Sequence, residues 1–267
     1  MSKEPMNSFA GKWALITGAS SGLGLDFADL LAAQKVNLVL AARRRESMEK
    51  LAADLRRKYG VDVLVEAIDL AAPGAASHLK SSLDARSVTI DILLNNAGYG
   101  LHGALLDTPI ERTTDMIQLN ITTLTELTYL FGRDMAARRS GHILLVASLM
   151  AFQAVPSYAA YAATKAYVLA LGELHDELRP HGVVVTTLCP GHTATATGFD
   201  AAAGAATTAL LRLLTMKPRP VAASGVRALL EGKAMVIAGL TNKMAAFSNR
   251  LRPRSMQRAT LKRIVDG

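Results

Sequence analysis

The sequence predicts an α/β protein with a doubly wound, mainly seven-stranded parallel sheet and helices on both of its faces. Two observations support this fold class: short runs rich in β-branched residues alternate with longer helical patterns, and a glycine cluster directly follows the first run. The runs predicted as buried strands are residues 13–17, 38–41, 61–68, 90–95, 142–147, 183–188 and 234–238. The helical patterns include residues 24–33, 47–59, 75–84, 113–137, 158–178 and 221–230.

The 267-residue length and the 50% hydrophobic content favour one well-packed domain at residues 1–240, followed by an extension at 241–267. The single cysteine, Cys189, excludes an intramolecular disulfide and fits a reducing compartment. The N-terminal region lacks the apolar centre of a signal peptide, so we expect a cytoplasmic protein. Residues 141–164 carry no charge, but polar residues interrupt them, which predicts a strand, a loop and a helix start rather than a membrane span.

The net charge of +8 is concentrated in the C-terminal extension. Residues 240–267 contain seven lysines and arginines against Asp266 alone, so the body is nearly neutral and is not built for nucleic acid. Four apolar residues recur here at helical spacing: Leu240, Met244, Phe247 and Leu251. They predict a basic amphipathic helix, which Pro253 stops. Three interpretations stay open: packing on the body or a second subunit, weak contact with a membrane surface, or a clamp for an anionic carrier such as coenzyme A.

The first strand leads into a glycine-rich turn at residues 17–24, with the spacing Gly-x3-Gly-x-Gly. Glycines allow the backbone to turn tightly and to approach a pyrophosphate, and the start of the next helix offers free N–H groups. Any tight strand-to-helix turn can use glycine, but the position after the first strand favours a dinucleotide site. The candidate contacts are Gly18, Ser20, Ser21, Gly22, Leu23 and Gly24.

The end of the second strand indicates which dinucleotide is bound. An NAD site needs an acidic residue about 20 residues past the glycines, where it binds the ribose 2′-hydroxyl. Here the strand ends in Arg43 and Arg44, with no acid before Glu46, and a guanidinium can bind a 2′-phosphate bidentately. We therefore expect NADP (NADPH) as the cofactor, with Arg43 as the main contact. The alternative is a solvated basic start of a helix.

Two further strand ends supply candidate cofactor contacts. After the third strand, the Asp69 carboxylate can accept from an adenine amino group and Leu70 can flank the ring. After the fourth strand, Asn96 and Gly98 lie in the segment 95–98, which suits close passage along a ribose. Both have simpler alternatives, since Asp69 can cap a turn and the segment 95–98 can be only a turn.

A tyrosine and a lysine four residues apart in a helical pattern predict acid–base chemistry. Tyr161 and Lys165 share one helix face, so we expect the ammonium to lower the pKa of the phenol toward neutrality. Tyr161 can then act as a general acid or base, while Ser148, just past the fifth strand, donates to a substrate carbonyl oxygen. Tyr158 is a rival tyrosine, but Ala162 stands where its cation would be. The histidines show no metal-ligand spacing, so we expect no metal.

Together these motifs resemble those of the short-chain dehydrogenase/reductase family over about residues 10–240. The matching pieces, in the family's order, are the glycine turn, the segment 95–98, Ser148, Tyr161, Lys165, Pro190 and Gly191. The resemblance implies a Rossmann-like fold, with Tyr161 as the catalytic acid or base and Lys165 also contacting the cofactor. It further implies that Asn120 holds a water next to Lys165, and that Thr193, with Pro190 and Gly191, contacts the nicotinamide.

These observations predict an NADP-dependent oxidoreductase that interconverts a small-molecule carbonyl and an alcohol by hydride transfer. The extended tail is similar to that of family members that act on acyl or lipid-like carbonyls, and the resemblance also implies a homodimer or homotetramer. We expect the Ala/Thr/Gly-rich stretch 193–208 to cover the site. Two other classes stay open: a non-catalytic NADP(H)-binding regulatory protein and a membrane-surface scaffold.

Overall fold

The computed structural model describes residues 9–153, 155–194 and 215–251, together with Pro253 and Met256. At its centre lies a parallel sheet of seven strands in the order β3-β2-β1-β4-β5-β6-β7. The strands are β1 (Trp13–Thr17), β2 (Asn37–Ala42), β3 (Val63–Ala67), β4 (Ile90–Asn95), β5 (Gly141–Val146), β6 (Val183–Cys189) and β7 (Met235–Ile237). The predicted fold class is confirmed, and every strand end lies within two residues of its predicted position.

Helices cover both faces of this sheet. They are α1 (Leu23–Ala32), α2 (Arg45–Tyr59), α3 (Ala75–Ala85), α4 (Ile110–Ile117), α5 (Leu124–Ala137), α6 (Ala159–Leu171), α7 (Leu174–Leu178), α8 (Pro218–Leu230) and α9 (Leu240–Leu251).

Two of the predicted helices are divided. The pattern at 113–137 forms α4 and α5, joined by a π-helical turn at Gln118–Thr123, and such turns occur most often at functional sites. The pattern at 158–178 forms α6 and α7, which part near Gly172. A Cβ at Gly172 would collide with the Thr187 hydroxyl, so the chain passes too close to β6 for one long helix.

Alternate side chains of each strand fill an apolar layer on either face of the sheet. Ile16 of β1 packs in the layer that contains Phe27 of α1. Its neighbour Leu15 packs in the opposite layer, with Leu79 of α3 and Phe131 of α5. Because both layers are closely packed, the strands form a stiff frame that holds the loops at their ends.

The winding of the sheet reverses between β1 and β4, because β1 pairs with β2 on one side and with β4 on the other. In open parallel sheets, ligands bind at the carboxyl ends of the strands near this reversal. The glycine turn follows β1 at this edge, and the segments after β4, β5 and β6 lie beside it. The topology therefore brings the candidate residues to one place.

The uncharged residues 141–164 form β5, a 3₁₀ turn at Leu149–Phe152 and the start of α6, as predicted. Among the described residues, none of the helices combines the length and the apolar character that crossing a bilayer requires.

The C-terminal helix α9 packs on the body, but not through the predicted apolar stripe. Asn242 and Ala246 are buried against the body. Leu240, Met244 and Phe247 instead face outward and are exposed. A closely packed helix at this place needs small or hydrogen-bonded residues on its inner side, and Asn242 and Ala246 supply them. The predicted domain boundary at residue 240 stays a prediction.

Candidate active site

The turn after β1 is shaped to receive a phosphate. Gly18 and Gly22 have φ angles of 68° and 57°, in the left-handed region that favours glycine. A Cβ at Gly24 would collide with the carbonyl oxygen of Gly18 and lie 2.9 Å from the Cα of Ala19, so only glycine fits there. Helix α1 begins at Leu23 without a side-chain cap, and its positive dipole end faces the turn, where it favours an anion. These features fit a dinucleotide pyrophosphate.

Asn96 fastens the glycine turn to the end of β4. Its side-chain amide donates to the carbonyl oxygen of Thr17 at 2.9 Å. In return, the hydroxyl of Thr17 accepts the backbone N–H groups of Asn96 and Ala97 at 3.0 and 2.9 Å. The Asn96 amide therefore positions the turn, and its predicted contact with the cofactor ribose stays a prediction.

The two arginines after β2 have different surroundings. Arg44 donates to the hydroxyl of Ser20 at 3.2 Å and to its carbonyl oxygen at 3.1 Å, so it holds the glycine turn. Arg43 is exposed and forms no hydrogen bond or ion pair with any described residue. It lies near Tyr99, whose pKa is raised by burial and by Asp115 while Arg112 and Arg43 oppose the rise. An uncommitted guanidinium at this strand end suits a 2′-phosphate.

At the end of β3, the simpler alternative for Asp69 is realised, because its carboxylate accepts the N–H of Ala71 at 3.0 Å and caps the turn. Leu70 is only 4% exposed and belongs to the core. The hydroxyl of Thr123 donates to the Leu70 carbonyl oxygen at 2.7 Å and fixes the segment. Contact of Asp69 with adenine stays a prediction. Leu70 has little surface left with which to flank a ring.

The structure brings Ser148, Tyr161 and Lys165 together beyond the ends of β5 and β6. Ser148 caps the 3₁₀ turn after β5, accepting the N–H of Met150 at 3.2 Å, and its hydroxyl is hydrogen-bonded to that of Tyr161. Tyr161 and Lys165 lie on the buried side of α6. The ammonium of Lys165 donates to the Val146 carbonyl oxygen at 2.8 Å, so the end of β5 fixes it in place.

The expected lowering of the Tyr161 pKa is wrong for the protein without a ligand. Burial raises this pKa to about 12, and the hydrogen bond from Ser148 only partly opposes it. Lys165 Nζ lies 5.9 Å from the centre of the Tyr161 ring, and burial lowers the pKa of Lys165 itself to about 8. Desolvation therefore dominates, and Lys165 is not among the groups that shift the pKa of Tyr161. Tyr161 is a neutral phenol at neutral pH and is ready to give a proton.

Asn120 lies in the π-helical turn and is fully buried. Its amide donates to the Tyr99 carbonyl oxygen at 2.9 Å and to the Thr164 hydroxyl at 3.1 Å, which connects the segment after β4 with α6. A Cβ at Gly98 would lie 2.8 Å from Asn120 Oδ1 and 3.4 Å from Lys165 Nζ, so only glycine leaves both groups room. Asn120 and Lys165 therefore border the same small space, as their predicted roles require.

The segment after β6 is held by residues from two distant parts of the chain. The N–H of Leu149 donates to the carbonyl oxygen of Pro190 at 2.7 Å. A Cβ at Gly191 would lie 2.7 Å from Cγ of Asn242, so α9 lies directly against this segment. The Thr193 hydroxyl donates to the Gly191 carbonyl oxygen at 2.9 Å. The predicted nicotinamide contact of Thr193 stays a prediction.

Apolar side chains pack around the Tyr161 ring. Met116, Val155 and Tyr158 are buried in this cluster, and Leu101 and Met150 pack against it. Tyr158 also stacks at 4.9 Å against His102, between ring centres. This packing fixes the position of the Tyr161 ring.

A comparison with known protein families shows to which family the chain belongs. Residues 12–204 match the family model described as short chain dehydrogenase. The chain belongs to the short-chain dehydrogenase/reductase family. The resemblance drawn from the sequence motifs is thereby confirmed.

Individual members of the family are similar over much of the chain. A very-long-chain 3-oxoacyl-CoA reductase of Pyrenophora tritici-repentis is 36% identical over 180 residues, covering 66% of this chain and 53% of that protein. A solved 7beta-hydroxysteroid dehydrogenase matches with a TM-score of 0.86 and 25% identity, over 97% of this chain and 99% of that one. A short-chain dehydrogenase from Sphingobium yanoikuyae, in complex with NADPH, matches with a TM-score of 0.80 and 30% identity, over 90% and 93%. This chain spans about half the length of the curated reductases that it matches.

The sequence patterns of this short-chain dehydrogenase/reductase did not indicate two of its site residues. Asn242 lies in the C-terminal helix but packs against Gly191, and Thr164 connects Asn120 to α6. Neither belongs to a motif, so only the fold identifies them. The expected cover at residues 193–208 is described only at Thr193 and Ala194, and its other residues lie outside the described part of the chain.

Proposed function

We propose that this protein is an NADP-dependent oxidoreductase that reduces an apolar, acyl- or lipid-like carbonyl to an alcohol. The observation that carries the proposal is the grouping of Ser148, Tyr161 and Lys165 beside a glycine turn fit for a pyrophosphate. The bound NADPH would supply the hydride. The proton for the reaction and the contacts that orient the substrate would then come from residues of this chain.

Tyr161 is the proton donor in this proposal. The phenol carries its proton at neutral pH and can pass it to a carbonyl oxygen that gains negative charge. The Ser148 hydroxyl, already bonded to that of Tyr161, donates to the same oxygen and orients it. Lys165, held by Val146, holds the cofactor ribose and supplies positive charge near the phenol.

Two features support the finer assignments. For the cofactor, Arg43 offers an uncommitted guanidinium among the described residues, while Arg44 holds the turn beside it. For the substrate, Met116, Val155 and Leu101 form an apolar wall next to Tyr161. The names of similar proteins, a very-long-chain 3-oxoacyl-CoA reductase and a 7beta-hydroxysteroid dehydrogenase, also denote large apolar carbonyls or alcohols.

The test is a substrate screen that follows NADPH absorbance with the purified chain. The panel holds 3-oxoacyl-CoA thioesters of increasing chain length, ketosteroids, simple ketones and, as polar controls, keto sugars. We expect turnover with members of the first two classes and little with keto sugars. Tight NADPH binding with no turnover across the panel would instead support a non-catalytic regulatory protein. Preference for keto sugars would contradict the substrate class alone.

A further inference from the structure

An apolar stripe on α9 faces away from the body beside the candidate active site. Leu240, Met244 and Phe247 are 74%, 65% and 64% exposed, and their spacing places them on one side of the helix. The other side holds Asn242 and Ala246, which are buried. The helix is thus fixed to the body by one face and presents three large apolar side chains on the other. Single exposed apolar residues are ordinary, but a stripe of three marks an interaction surface.

The helix that carries this stripe lies beside the segment that follows Ser148. Asn249 of α9 donates to the Gln153 side chain at 2.5 Å, so the helix borders the segment that follows Ser148. A second group of exposed apolar residues, Leu105, Leu106 and Ile110, follows β4. That loop also borders the segment, because the Gly103 N–H donates to the Ser157 carbonyl oxygen at 2.9 Å. Exposed apolar side chains therefore lie on two sides of the segment that carries Ser148.

The charge of the C-terminal region indicates what covers the stripe. Lys243 is exposed on α9, and the residues after the helix add Arg252, Arg254, Arg258, Lys262 and Arg263. Asp266 is the only acidic residue in this region. A second copy of the chain would bring the same positive charges against each other, which costs free energy. An anionic lipid surface accepts both the apolar side chains and the basic ones.

We propose that α9, with the basic residues that follow it, docks the protein on an anionic phospholipid bilayer. Leu240, Met244 and Phe247 enter the boundary between headgroups and acyl chains, while the basic residues contact the lipid phosphates. The mouth of the site then opens at the lipid surface, where an apolar carbonyl is concentrated. The docking does not depend on the proposed function, since it rests on a surface outside the catalytic groups.

The experiment is flotation of the full chain with vesicles. Vesicles of phosphatidylglycerol and phosphatidylcholine are compared with vesicles of phosphatidylcholine alone, at low salt and at about 1 M salt, where charges are screened within about 3 Å. We expect the protein to float with the anionic vesicles at low salt. High salt or the neutral vesicles should lower the bound fraction at least about tenfold, since each basic residue near the surface contributes about fivefold to the affinity.

Matched variants separate the stripe from the rest of the surface. The triple variant Leu240→Ser, Met244→Ser and Phe247→Ser should lose at least about tenfold in vesicle binding while it keeps its NADPH affinity. Tyr129→Ser is the control, because Tyr129 is a large apolar side chain that is 60% exposed on a different helix, α5. It should bind vesicles as the wild type does.

Three outcomes would overturn the proposal. The first is a wild-type chain that does not float with anionic vesicles, or floats equally with neutral ones. The second is a triple variant that floats as well as the wild type. The third is a change of mass: if light scattering without lipid shows an oligomer that the triple variant dissociates, the stripe is an interface between copies of this chain.

Discussion

The glycine turn after β1 and the catalytic segment at 148–165 lie at the same edge of the sheet, but different interactions hold them. The turn is held by hydrogen bonds between side chains and the backbone, such as the Thr17 and Asn96 contacts, and by the absence of side chains at Gly18 and Gly24. The catalytic segment is held by buried polar side chains, among them Lys165 bonded to β5.

This difference indicates which kinds of substitution should harm each region. In the turn, an added methyl group does harm because it meets backbone atoms at Gly18 and Ala19, whereas loss of the exposed charge of Arg43 should change only which cofactor is bound. In the catalytic segment, the protonation state of each buried side chain matters more than its exact shape. Desolvation shifts the pKa values of Tyr161 and Lys165 in opposite directions. The predictions below test this contrast.

The largest effect is expected at the proton donor. Tyr161→Phe keeps the ring and its packing but removes the hydroxyl, so turnover should fall by at least about 10²-fold. NADPH affinity should hardly change, because the glycine turn and Lys165 remain. Steady-state kinetics and cofactor titration measure the two quantities.

Tyr158→Phe is the matched control, since Tyr158 is a buried tyrosine in the same apolar cluster. It should keep near-normal turnover. A Tyr161→Phe enzyme with wild-type turnover, or a Tyr158→Phe enzyme without any, would show that the proton donor is misassigned.

The second effect concerns the exposed charges beside the turn. Arg43→Ala should lower NADPH affinity roughly 10- to 150-fold and leave NADH affinity nearly unchanged, because it removes one charged contact with a phosphate. Arg44→Ala should weaken both cofactors, because Arg44 holds the turn through Ser20. Fluorescence titrations of each variant with both cofactors measure this. Equal losses for the two cofactors in Arg43→Ala would give Arg43 a structural role instead.

The third effect compares two glycines. Gly24→Ala should cost about 1–3 kcal/mol of stability and lower the affinity for both cofactors, because its Cβ meets the backbone of Gly18 and Ala19. Gly60→Ala has no atom within 4 Å of its Cβ but has a φ of 65°, so it should cost about 1 kcal/mol or somewhat more and leave cofactor binding intact. Urea unfolding and NADPH titration separate the two. Normal cofactor binding by Gly24→Ala would refute the close fit.

The smallest effect is a pH dependence of stability. Burial lowers the pKa of Lys165 from 10.5 to about 8, so above pH 8 the folded chain releases a proton that the unfolded chain still holds. The free energy of unfolding should therefore rise with pH, by at most about 1.4 kcal/mol per unit. Above about pH 9 the rise should stop, because the unfolded Cys189 loses a proton that burial retains in the folded state, where its pKa is about 12.

Lys165→Met is the comparison for this measurement, by urea unfolding between pH 7 and pH 9. The variant should lack the rise between about pH 8 and 9 that the wild type shows. An identical pH profile in both proteins would mean that Lys165 keeps its ordinary pKa.

The C-terminal helix illustrates where sequence patterns mislead. Its apolar spacing predicts a helix correctly, yet the apolar side faces outward and Asn242 faces the body. Periodicity identifies a helix and its two faces, but it does not say which face meets the core when both can be accommodated. A truncation after residue 240 would also remove Asn242 and Ala246, which are buried against the body. A test of the basic residues alone must therefore remove only residues beyond the end of α9.

The sequence by itself predicted the sheet, the glycine turn and the candidate residues Ser148, Tyr161 and Lys165, because strand periodicity and motif spacing are local properties of the chain. Only the tertiary structure decided that Arg44 holds the turn while Arg43 stays uncommitted, and that Asn242 lies against Gly191. It also decided that burial raises the pKa of Tyr161. A pKa depends on how completely water is excluded around a group, and residues from distant segments enclose Tyr161 only when the chain is folded.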